Sequence, residues 1–237
     1  MNWNAYIDAY CERTLPGFWD EPLNAFSNAA FWLAAWWVWR CWQCARPAPS
    51  LGDRRTSSWD IKSLLVMQLL IGAGSFAFHT FATRWAAALD VAFIAVYLHF
   101  YLAVYLHRAL HWRWAVAWLG VPLFLLLSQA LSLGWRQALS ATAAGSVAGS
   151  AAGYLSAWTV LLLVCGHSAV CRLASTRALA LASLCFAVSL SLRQLDMPLC
   201  SDWRWGTHFA WHLLNATTLG LTTWAMVRLQ LARLKRN

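Results

Sequence analysis

Apolar residues run along this chain in long unbroken stretches, separated by short polar breaks. Seven stretches reach the roughly 17–25 residues that a helix needs to cross a bilayer. They lie near 23–44, 61–82, 86–107, 114–133, 143–168, 175–194 and 205–228. The runs are continuous, whereas a membrane β-barrel alternates apolar and polar positions in shorter segments. Backbone groups in hydrocarbon must pair within their own segment, so each run predicts a helix. The expected fold is therefore all-α: one membrane domain of seven helices over 1–237, with 1–22 as a segment outside the bilayer.

Composition agrees. Hydrophobic residues make up 60% of the 237 and charged residues only 11%, too few to solvate a globular surface of this size. The net charge of +9 would suit nucleic acid, but its distribution excludes that partner. Of the 18 Lys and Arg residues, only Arg13, Arg84, Arg136, Arg193 and Arg204 fall at the ends facing one side. The other 13 gather on the opposite side, including Arg40, Arg46, Arg54, Arg55 and Lys62 after the first helix. Positive residues mark the cytoplasmic face, which puts the N-terminus outside and the C-terminus in the cytoplasm. The first nineteen residues hold Asp8, Glu12 and Arg13 and no apolar core of a signal peptide, so the first helix is expected to direct insertion. No soluble domain or internal repeat is evident, and 46–60 reads as a cytoplasmic loop. Gly145, Gly149 and Gly153 recur every four residues on one face of the fifth helix. Such a stripe lets helices pack closely, with a groove for a lipid chain as the other reading.

Against this background the intramembrane ionisable residues stand out, because their cost in lipid usually marks a functional site. His208 and His212 sit four residues apart on one helix face, and Ser75 and His79 repeat that spacing. Asp90 lies about 8 Å into the third helix from Trp85, at 1.5 Å per residue. The topology brings all five into the outer half of the membrane from three helices. Paired histidines one turn apart bind one metal ion, and His79 would complete a three-histidine set with a fourth position open to water. That is the arrangement of catalytic zinc. Asp90 is then the candidate general base, and Ser75 the candidate donor to a developing oxyanion. The competing reading has each histidine merely bonding a neighbouring helix. His99 lies about 13 Å deeper than Asp90 and reads as a packing residue. His107, His111 and His167 lie at the opposite ends of their helices.

A second group is acidic. Asp8, Glu12, Asp20 and Glu21 crowd the outer mouth, with Asn24 and Asn28 opening the first helix. Two readings stand here: a calcium site, since that ion takes 6–8 oxygen ligands, or helix capping combined with an acidic outer face.

These residues resemble the alkaline ceramidase family, within the seven-helix hydrolase superfamily that also holds adiponectin-type receptors. The resemblance covers the layout of the whole chain. It is specific at Glu21-Pro22-Leu23-Asn24-Ala25-Phe26-Ser27-Asn28, at Ser75-x-x-x-His79, at Asp90 and at His208-x-x-x-His212. The form Gly206-Thr207-His208-x-x-Trp211-His212 is similar to the bacterial branch. The resemblance implies zinc on His79, His208 and His212, with Asp90 and Ser75 assisting hydrolysis of the ceramide amide to a long-chain base and a fatty acid. It further implies calcium at the N-terminal acidic group, through Glu12, Glu21 and, with a shift of one residue, Asp8. The expected partner is a membrane lipid substrate, and the expected location a bacterial inner membrane with the site toward its extracytoplasmic half. A receptor of the same superfamily and an ester-cleaving lipase are the alternatives. Of the seven cysteines, the topology leaves only Cys11 and Cys200 outside, where disulfides persist, and a bridge between them is expected.

Overall fold

The computed structural model describes residues 2–46, 58–140 and 145–235, and so most of the 46–60 loop lies outside the described residues. Eight α-helices form there in chain order: α1 (Pro22–Ser27), α2 (Ala29–Ala45), α3 (Trp59–Phe81), α4 (Arg84–Ala109), α5 (Trp114–Ser140), α6 (Gly145–Val170), α7 (Thr176–Leu195) and α8 (His208–Leu234). No strand forms among the described residues. Five helices, α3 to α7, are long and apolar enough to cross a membrane, which makes this an integral membrane protein. The helix α2 is short, at 17 residues, and α8 carries His208, His212, Asn215 and several threonines among its buried positions. Both pack into the same bundle, α8 against α7 and α2, and α3 against α4.

The first predicted helix, 23–44, is divided. Asn28 interrupts it between α1 and α2. The polar side chains there bond the backbone in place of the helix ladder: Asn28 Nδ2 donates to the Asn24 carbonyl at 2.8 Å, and Ser27 Oγ donates to the same carbonyl at 2.8 Å. This junction approaches α3 closely at Gly72, where a Cβ would meet Trp32 Nε1 at 2.9 Å and the Phe31 Cβ at 3.0 Å. The last helix starts at His208 and not at 205, because Gly206 turns the chain with φ +60.

The core runs down the bundle through Phe31, Ile71, Tyr97, Val104, Leu179 and Met226. Tyr97 is fully polar-satisfied within it, its hydroxyl contacting the Leu219 carbonyl at 3.1 Å and the hydroxyls of Thr222 and Thr223 at 2.9 Å. At the end away from the histidines, Arg108 of α4 clamps Asp60 of α3 through two bonds of 2.6 and 2.7 Å. Outward, α5 leaves Leu119, Leu123 and Leu126 between 67% and 71% exposed, an apolar surface that suits lipid. Of the small-residue stripe on α6, the surroundings of Gly145 and Gly149 lie outside the described residues. Among the described residues a Cβ on Gly153 would meet nothing within 4 Å, so no described helix packs closely there.

Candidate metal centre

Three helix ends build the site. His79 lies in the last turn of α3, Asp90 in the second turn of α4, and His208 and His212 in the first two turns of α8. All four are buried, as is Ser75 one turn before His79. The start of α8 is fixed by Asp196, just past α7: its Oδ1 accepts from the amides of Thr207 at 2.7 Å and His208 at 2.9 Å. Its Oδ2 accepts from the Cys11 amide at 3.0 Å.

The histidines converge. Their ring centroids stand 4.5 Å (His208–His212), 4.7 Å (His79–His212) and 5.1 Å (His79–His208) apart. One nitrogen from each falls within 4.8 Å of the other two, the only such group of histidine, cysteine or acidic ligands among the described residues. The hydrogen bonds set which nitrogen is free. His79 Nδ1 donates to Glu21 Oε2 at 2.6 Å, which leaves Nε2 buried with no partner. Ser27 Oγ spends its proton on Asn24, so it accepts from His212 Nδ1 at 2.7 Å and leaves Nε2 as the acceptor. His208 Nδ1 is also buried with no partner. Buried imidazole nitrogens without hydrogen bonds are costly unless something binds them. A carboxylate on the far nitrogen of a histidine is the usual outer support of a metal ligand. The residues present therefore fit a metal ion of the kind that imidazole binds.

Ser75 and Asp90 close the site. Ser75 Oγ lies 3.5 Å from His212 Nε2, and Ser75 and His79 are polar neighbours of the Asp90 carboxylate. Asp90 Oδ1 is buried with no partner. The three helices thus bring together all five residues expected from the sequence.

The N-terminal carboxylates go elsewhere. Asp8 is exposed. Glu12 accepts from the Leu23 amide at 2.7 Å and the Asn24 amide at 2.8 Å, capping α1. Burial pushes its carboxyl up, and those two amides offset part of that rise. Glu21 pairs with Arg13 and His79 and accepts from Asn24 Nδ2 at 2.9 Å. Burial alone would raise the Glu21 carboxyl, but the bonds from His79, Asn24 and Arg13 outweigh it and hold it below the usual range. Asp8, Glu12 and Glu21 do not gather as ligands around one point; of the two readings of this acidic group, capping describes Glu12.

Several neighbours of the centre carry no spacing signal. Tyr10 stacks on His208 with ring centroids 3.7 Å apart, and Trp211 stacks on the same imidazole at 5.1 Å. Arg13 donates to the His79 carbonyl at 2.9 Å. Ser27 could have been singled out only as part of the Glu21–Asn28 motif. The remaining histidines behave as expected of residues outside the site. His99 Nδ1 bonds the Ala95 carbonyl at 2.6 Å, and the His167 ring bonds the Tyr105 hydroxyl at 2.8 Å. Cys11 and Cys200 form a disulfide with Cα atoms 5.4 Å apart, and the other five cysteines are free. No protein-family model, no curated protein and no solved structure matches this chain.

Proposed function

We propose that this protein is a zinc-dependent intramembrane amidohydrolase of the alkaline ceramidase type, which cleaves ceramide-like N-acyl lipids. The observation that carries the reading is the buried convergence of one nitrogen each from His79, His208 and His212, within 4.8 Å of one another, beside Asp90. In this reading α2 and α8 join the five long apolar helices as crossings, and the N-terminus lies outside. The arginine and lysine distribution supports that orientation, and the site then opens toward the extracytoplasmic half of a bacterial inner membrane.

Zinc, when bound, would supply Lewis acidity and lower the pKa of water to about 7. The chain's own residues do the rest. The Asp90 carboxylate takes a proton from the water that attacks the amide carbonyl. Ser75 Oγ–H donates to the oxyanion as the new carbon–oxygen bond forms. Asp90 then returns its proton to the departing nitrogen as the carbon–nitrogen bond breaks, releasing a long-chain base and a fatty acid. Glu21 and Ser27 hold the imidazoles of His79 and His212 in the tautomers that keep Nε2 free.

The test is hydrolysis of a panel of ceramides, other N-acyl lipids and matched esters by purified protein, with and without a chelator. Release of long-chain base should stop with chelator and return with added zinc. Turnover indifferent to chelation, or no amide product from any lipid, overturns the reading. Faster release from esters assigns the protein as a lipase.

A further inference from the structure

Two hydrogen-bond donors beside the metal centre have no acceptor. Arg193, near the end of α7, carries a buried Nε with no partner, and Trp211 of α8 carries a buried Nε1 with no partner. Trp211 is 2% exposed. The two side chains belong to one cluster. The Arg193 guanidinium lies 4.8 Å from the Tyr154 ring and 6.0 Å from the Trp211 ring, and Tyr154 meets Trp211 edge-on at 6.0 Å. Trp211 in turn packs on His208 and His212 at 5.1 and 5.2 Å.

Neither donor can serve the other, because arginine and indole have no acceptor lone pair. The phenols of Tyr10 and Tyr154 engage the guanidinium as neutral partners and leave its Nε unpaired, and Asp90 acts on Arg193 without forming an ion pair. The ion pairs among the described residues are Arg13–Glu21, His79–Glu21 and Arg108–Asp60, and none includes Arg193. A guanidinium held between aromatic rings inside a membrane bundle is costly without an anion. Its planar fork matches a carboxylate. None of the steps assigned to Asp90, Ser75 or the histidines uses it.

We infer that Arg193 and Trp211 form a subsite for a lipid carboxylate next to the scissile amide. The inference rests on the hydrolase reading and deepens it: among N-acyl lipids the site also accepts those that carry an acid on the amine side, as N-acyl amino acids do. The same chemistry could come from the freed fatty acid, so the test has two arms. The first compares hydrolysis of N-palmitoylglycine and N-palmitoylethanolamine by the metal-loaded protein and its Arg193→Gln variant. The second measures displacement of a fluorescent fatty acid by palmitate and by hexadecanol, and needs no turnover.

A charge-assisted pair predicts that Arg193→Gln lowers the acid-to-neutral ratio of kcat/KM about 10–100-fold, mostly through KM. Arg193→Lys, which keeps charge and loses the fork, should fall between. If only the palmitate-to-hexadecanol ratio drops, the carboxylate is the product's. If neither ratio depends on residue 193, in variants that retain their metal, the subsite is refuted. Failure to release product from any N-acyl lipid would instead sink the hydrolase reading, and the displacement arm would still decide the role of Arg193.

Discussion

Glu21 shows how much one side chain can settle. Its carboxylate joins Arg13, Asn24 and His79, so it fixes the N-terminal segment, the start of α1 and one of the three converging histidines together. Glu21→Gln should weaken zinc binding by about 10–100-fold, the usual cost of losing an outer partner of a histidine ligand, as competition against a calibrated chelator would show. The ligands themselves should behave more sharply. Protein as purified should hold one zinc per chain, and His208→Ala or His212→Ala should lose both metal and activity; full occupancy by metal analysis in the double variant would rule out the site. Asp90→Asn should keep the metal and lose most hydrolysis, since the base goes and the ligands stay. Ser75→Ala should cost on the order of 10²-fold in kcat. If Asp90→Asn strips the zinc, the aspartate is a ligand and the roles must be redrawn. That these five residues lie together was legible because intramembrane polar groups are rare and helical spacing is strict. Tyr10 and Arg193 were not, because their contacts join segments far apart in sequence and no local period records those, and Ser27 was visible only inside the Glu21–Asn28 motif.

At the scale of elements, helix existence was readable and helix ends were not. Continuous apolarity located the bundle, but the break at Asn28 and the start of α8 depend on which polar groups capture the backbone. Asp196 is the clearest case: one carboxylate outside any apolar run caps α8 and sets the height of His208. Asp196→Ala should cost about 0.5–2 kcal/mol as a lost cap. It should also loosen zinc, because His208 is the first residue of that helix. Thermal unfolding and metal titration would read the two effects. Gly206→Ala should be worse tolerated, since the new Cβ would collide with Asp196 Oδ1 in a left-handed backbone. At the other end, Asp60→Asn should destabilise by about 3–5 kcal/mol by leaving Arg108 buried beside a neutral partner. An Asp60→Asn protein with unchanged melting temperature would show that the pair is not buried in the folded protein.

The whole molecule is tied together at its metal end by the N-terminal segment. Ile7 donates to the Ala82 carbonyl at 2.8 Å, and the Ala5 carbonyl accepts from Arg84 at 3.1 Å, so the segment lies across the turn between α3 and α4. It then reaches the loop between α7 and α8 through the disulfide, which joins positions 189 residues apart. Non-reducing mass mapping should recover a Cys11–Cys200 linked peptide, and reduction should lower stability by roughly 2–5 kcal/mol. Both thiols freely alkylated in oxidised, folded protein would refute the bridge. The strap also dictates an order of maturation. His208 and His212 leave the ribosome well after Glu21 and Arg13, which contact the His79 end of the site. The site is therefore assembled only when an earlier segment of the chain meets a much later one. In the proposed orientation that meeting takes place on the outer face, so a metal ion would enter after insertion and be drawn from those available there.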